Sequence, residues 1–342
     1  MILAVVAAAL LDAAMARAHV VVGRRSLRSW TRDASVVVVA DVVAPVHAWV
    51  SEDGRERRDA VRLRVVETLR GDAGAREILV HPHAEGLPDW PAGSRVIAFL
   101  EPSAGHALFA PFAASLPWFT TQGPEDAWGV APEDEDTLRL ARAWTVAGPS
   151  ASPGEVRHLL LAQLRTSNRR LREDALLELV VARRDPRLFV SRVDVAPFAR
   201  LAGMQSPLPV PERIALQRAL DGVTGFDSAA AFRDLVRASP AYPSRDRLAL
   251  VRAAGPSRDP EVSRWLAGIL DDASGDPSLR REAAAALGRP WHASQAPALE
   301  RASRSTDPVL ARRATASLAE VRRAPRPDRN GRTPVPAQNG SE

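Results

Sequence analysis

The chain has 342 residues, 46% of them hydrophobic and 25% charged, which excludes a mostly disordered polymer and leaves room for two domains and a tail. Cysteine is absent, so disulfide frameworks, thiol catalysis and cysteine-based zinc modules are excluded. Every one of the 46 basic residues is arginine, yet against 41 acids the net charge is only +5, and no nucleic-acid partner is expected from charge alone.

Residues 1–18 have the pattern of a secretory signal peptide, with an apolar run from Ile2 to Leu11 and a small-x-small cleavage signature at Ala16-Arg17-Ala18. The run is far shorter than the roughly 20 apolar residues a spanning helix needs, so no integral membrane protein is expected after cleavage. A secreted, periplasmic or cell-envelope location follows. No positive charge precedes the run, and a buried first helix or strand is the competing reading. Cleavage after Ala18 would make His19 the first residue, where its amine and imidazole suit Cu(II), with His47, His81 or His83 as a further ligand. On a strand His81 and His83 share a face, because side chains alternate with period two. These histidines define a metal-binding alternative, a copper or zinc protein or enzyme. The plainer account is two polar residues following a strand, and no cofactor is expected.

Residues 19–131 read as a small antiparallel β barrel. Strands are predicted at Ser35–Val43, Val61–Val66, Glu77–Val80, Arg95–Leu100, Ala107–Phe109 and Trp128–Val130, separated by turn clusters such as Glu52-Asp53-Gly54 and Pro91-Ala92-Gly93. Short strands without long intervening helices close most simply as a five- or six-stranded Greek key, which leaves few open edges. Trp90, Trp118, Phe119 and Trp128 fall in the connections and are the candidate partner-binding residues, with plugging of the barrel mouth as the competing role. The succession Ala34–Val43, Val65–Gly71 and Pro91–Leu100 resembles the netrin-like module, the OB-type barrel of metalloproteinase inhibitors. In that family inhibition uses an N-terminal cysteine, so the activity does not carry over to this chain.

Residues 132–152 supply a helix at Thr137–Trp144, preceded by the acidic run Glu133–Asp136, and a Gly148–Gly154 linker. From 153 to 323 the pattern turns helical. Asp276-Pro277-Ser278-Leu279 is echoed by Asp307-Pro308-Val309-Leu310, a period of about 31 residues, within the range of solenoid repeats. In each copy the aspartate can cap the first turn and the proline presets φ. Leu279, Ala283, Ala286 and Leu287, and then Leu310, Ala314, Leu318 and Val321, each make one apolar stripe. Val262, Trp265, Leu266, Ile269 and Leu270 supply a partner helix, and Leu171, Ala175 and Leu179 repeat the spacing upstream. These copies resemble the HEAT-repeat family in its short bacterial form, which implies an α-solenoid. The resemblance is weak from Val193 to Ala254, where helices are still predicted at Glu212–Leu220, Ala229–Val236 and Arg245–Ala253. An isolated helical pair cannot bury its own apolar face, so the array must run through this region. Residues 324–342 read as a disordered tail.

The phosphate-loop, Gly-x-Ser-x-Gly, His-Glu-x-x-His and Gly-x-Gly-x-x-Gly signatures are all missing from the sequence. The fold class expected is thus α+β multidomain, an OB-like barrel followed by a HEAT-like solenoid. The function expected is a non-enzymatic, extracytoplasmic scaffold for a protein partner, with no small-molecule substrate indicated.

Overall fold

The computed structural model describes residues 25–50, 57–81, 91–103, 116–121, 130–132, 134–182 and 185–323. The signal-peptide expectation, the tail and the Ala107–Phe109 strand lie outside these residues. The chain divides into two compact units, 1–188 and 189–342. By its contacts the helical segment just after the Gly148–Gly154 stretch belongs to the first unit.

Among the described residues the first unit has six strands: β1 (Val36–Val50), β2 (Arg57–Arg70), β3 (Glu77–His81), β4 (Arg95–Pro102), β5 (Trp118–Thr121) and β6 (Val130–Pro132). Their order is β1-β2-β3-β5-β4, and β4 pairs back onto β1, so five strands close a barrel with OB-like connectivity while β6 adds to β4. The expected all-antiparallel arrangement needs correction, because β3 and β5 run parallel, with Leu79 opposite Trp118 and His81 opposite Thr120. Closure requires β1 to serve two partners, and its register against β2 shifts at four points. Such bulges bend a strand and let a small barrel close.

Alternation fixes the core. Val36, Val38, Ala40 and Val42 face inward with Leu63, Ile78, Val80, Ala98, Leu100 and Phe119. Val37 and Val39 point the other way, opposite Phe99 and Ile97 of β4, and these four are also buried. That second apolar face explains why the valine run alternates so weakly in sequence. Helix α1 (Leu27–Asp33) lies over it, with the Trp30 ring 6.2 Å from Phe99.

Helices α2 (Glu135–Ala147), α3 (Pro153–Leu164) and α4 (Arg169–Ala182) complete the unit. Asp134 accepts from the Thr137 amide to start α2. The predicted linker ends sooner than its composition implies: Ser152 and Glu155 cap each other's backbone, a capping box that begins α3 at Pro153. Trp144 donates its indole N–H to Gln163 Oε1 at 3.1 Å, joining α2 to α3 inside the core. Asp174 of α4 accepts from the Leu27 amide, and Glu178 accepts from Arg28 and Ser26, so α4 holds the start of α1.

The second unit consists of stacked helices: α5 (Arg192–Ala202), α6 (Val210–Ala219), α7 (Ser228–Ala238), α8 (Ser244–Ala254), α9 (Pro260–Asp271), α10 (Pro277–Ala286), α11 (Ala296–Ala302) and α12 (Pro308–Arg323). One layer is α7-α9-α11 and the other α6-α8-α10-α12, with α9 packed on α10, α11 on α12, and α5 on α6. This is the expected solenoid of paired helices, and it continues through the stretch where the repeat is degenerate. Leu279, Ala283, Leu287, Leu310, Ala314, Leu318 and Val321 all lie in one core with Val262, Leu266 and Leu270. Asp259, Asp276 and Asp307 each accept from an amide of the first turn they precede. Two of these caps are clamped by arginines of earlier helices, Arg233 on Asp259 at 2.6 Å and Arg281 on Asp307 at 2.9 Å.

Candidate functional site

The predicted barrel candidates do not assemble into a site. Trp118 and Phe119 are buried in β5 rather than displayed at a loop tip, a correction to their role as contact residues. Phe119 points into the barrel core, and Trp118 faces outward in a small cluster with Ala60 and Leu79. Trp90 and Trp128 lie outside the described residues. So do His19, His83 and the side chain of His47, while His81 is half-buried at the end of β3. Among the described residues no group of three or more His, Asp or Glu is placed to hold a metal ion. In that same set no helix is long and apolar enough to cross a membrane.

Two buried polar groupings in the second unit have structural partners. The His292 imidazole is fully buried, with Nε2 3.1 Å from the Gly255 carbonyl and Nδ1 2.7 Å from Ser263 Oγ. A carbonyl only accepts, so the proton sits on Nε2, and the single Ser263 hydroxyl proton lies between two acceptors, His292 Nδ1 and the Asp259 carbonyl 3.0 Å from Oγ. Burial pushes this imidazole below its usual pKa and keeps it neutral. Trp291 donates to the same carbonyl, and together the two rings tie the turn before α11 to the end of α8. Around α6, Arg213 donates to the Met204 carbonyl just past the end of α5 and stacks on Tyr242, while Gln217 donates to the Ala202 carbonyl. Cationic and amide donors at a helix C-terminus satisfy carbonyls that have no partner within the helix.

Among the described residues, two surfaces are open to another molecule. In the first unit an open groove of about 580 Å³ runs between α2 and α3, past Arg142, Val146, His158 and Leu159. Val146 is 88% exposed there. In the second unit, α8, α10 and α12 carry an ion-pair ladder across their outer side. Glu282 of α10 accepts from Arg252 of α8 at 3.4 Å and from Arg313 of α12 at 3.3 Å. The aspartate caps are legible in the sequence, and the ladder has a signal there too. Its rungs are 30 and 31 residues apart, which is the repeat period itself. Arginine presents a planar fork of donors suited to carboxylates, so a row of them on successive helices can engage an anionic chain.

No family model matches the chain, and no curated protein matches it. Among solved structures, human deoxyhypusine hydroxylase in complex with glycerol aligns at 19% identity over 55% of this chain and 69% of its own, with a TM-score of 0.31. A likeness at that score carries no argument for this chain.

Proposed function

We propose that this chain is an extracytoplasmic, non-enzymatic scaffold whose helical array holds a protein partner. The observation that supports this reading is the division of labour within the array. Leucine, valine and alanine side chains hold the stack from inside, while the outer side of α8, α10 and α12 bears exposed Arg252, Ala285, Arg313 and Ala316. Stacked repeats rest on nearest-neighbour interfaces, which leaves outer positions free to vary and to bind. The signal-like start supports export of the chain before it meets that partner.

Photocrosslinking in the native host tests the scaffold role. A crosslinking residue at Ala285 or Ala316 is expected to trap the same protein from either position, and one at Arg264 of α9 is expected not to. Absence of any product from both positions, in cells where the chain is folded, would remove the scaffold reading. Fractionation of those cells tests export: recovery of the uncleaved chain in the cytoplasm would remove that part.

A further inference from the structure

We infer that the outer side of the α8-α10-α12 layer docks an extended acidic segment of the partner, with carboxylates about six residues apart; this deepens the scaffold reading and rests on it. The first observation is an asymmetry of charge between the two layers. Helices α8, α10 and α12 contain nine arginines against three carboxylates. Helices α7, α9 and α11 contain four of each. The positive charge of the second unit's repeats is therefore gathered on one layer, where opposite charge steers and holds a partner.

The second observation is how that charge is used. Glu282 is shared between Arg252 and Arg313, so neither arginine has a carboxylate to itself, and a carboxylate from outside can take over either one. Arg245 of α8 and Arg312 of α12 are exposed, and neither forms an ion pair among the described residues. Spacing then selects the ligand. Neighbouring packed helices lie about 8–10 Å apart. An extended chain rises about 3.3 Å per residue and turns successive side chains to opposite faces, so acids six apart lie on one face at roughly 20 Å and reach α8 and α12 while stepping over Glu282. Duplex DNA presents a charge about every 1.7 Å and would set phosphates against Glu282 between the arginine rows, which disfavours it as the ligand.

The test uses the full chain and a fluorescein-labelled 12-residue peptide with Asp at positions 3 and 9 and Ser and Gly elsewhere. Its Asn counterpart and a 12-base-pair DNA duplex serve as comparison probes, read by fluorescence anisotropy at two salt concentrations. The Asp peptide is expected to bind more tightly than both. Arg245→Glu with Arg312→Glu is expected to weaken it about tenfold, whereas Arg264→Glu in the other layer changes it less than about twofold. Glu282→Gln is expected to tighten binding about threefold, a gain that a purely structural role for Glu282 would not give. Tighter binding of DNA than of peptide, or equal losses from reversals in both layers, overturns the inference. If crosslinks form at Ala285 and Ala316 but are unchanged by the charge reversals, the acidic chemistry fails and the scaffold reading stands. If the peptide binds as expected but no crosslink forms in cells, the reverse holds.

Discussion

Leu279→Ala measures how much the stack depends on its interior. Leu279 is 1% exposed and lies in the core that also contains Leu266, Leu270, Leu299 and Leu310. Removing three carbons forfeits about 2.4 kcal/mol of transfer free energy at roughly 0.8 kcal/mol per methylene. The neighbouring stripe positions Ala283 and Ala314 are already small and cannot swell to fill the void, so a cavity term adds to the loss. The total is expected at about 3–4 kcal/mol, within the range for buried leucine truncations. For a unit of this size that lowers its calorimetric midpoint by about 6–15 °C. Val309→Ala, one residue before the buried Leu310 but itself 40% exposed, serves as the control and is expected to move the midpoint by less than about 2 °C. Equal shifts in the two variants would mean that Leu279 does not sit in a packed interface, and the layered arrangement would be refuted.

Other perturbations probe other joints. Gly71 has φ +70° at the end of β2, and a Cβ there would sit 2.3 Å from the Ser35 carbonyl oxygen. Gly71→Ala is expected to destabilise the barrel by about 2 kcal/mol or more, read as a lower urea midpoint for the first unit. Asp174→Ala leaves the Leu27 amide and Arg170 without their buried acceptor and is expected to cost about 3 kcal/mol, with faster hydrogen exchange in α1. His292 is held below its usual pKa, so the unfolded chain takes up a proton first as the medium is acidified. Stability of the second unit is therefore expected to fall as pH drops below the ordinary histidine value of about 6.5. His292→Gln should remove that part of the fall in urea titrations at pH 7.5 and 5, and an identical pH slope in the variant would contradict the assignment.

What the sequence made legible was whatever is decided locally. An Asp-Pro start and a Leu-Ala stripe specify a capped amphipathic helix within a dozen residues, so α9, α10 and α12 were read with their faces correct. Strands β1 to β4 were likewise visible as valine-rich or alternating runs. Helix α1 went unread because its seven residues are fixed by groups far along the chain: Asp174, Glu178, and Arg70, which donates to the Thr31 carbonyl. Strand β5 is only four residues long, and its parallel pairing with β3 cannot be inferred from local pattern, so Trp118 and Phe119 read as loop aromatics. The proline, glycine and serine around position 152 suggested a linker, whereas Ser152 and Glu155 were signalling a helix start. The Arg252-Glu282-Arg313 ladder needed the two layers to be known before its members could be placed side by side.

Whether the partner sits on the outer side of α8-α10-α12 can be measured directly. The natural absence of cysteine allows single thiols to be placed at Ala285, at Ala316 and, in the other layer, at Arg264, and their alkylation rates to be followed with and without the crosslink-identified partner. The partner is expected to slow alkylation at 285 and 316 at least about tenfold and to leave 264 unchanged. Equal rates at 285 and 316 with saturating partner, or protection at 264 alone, would contradict that placement.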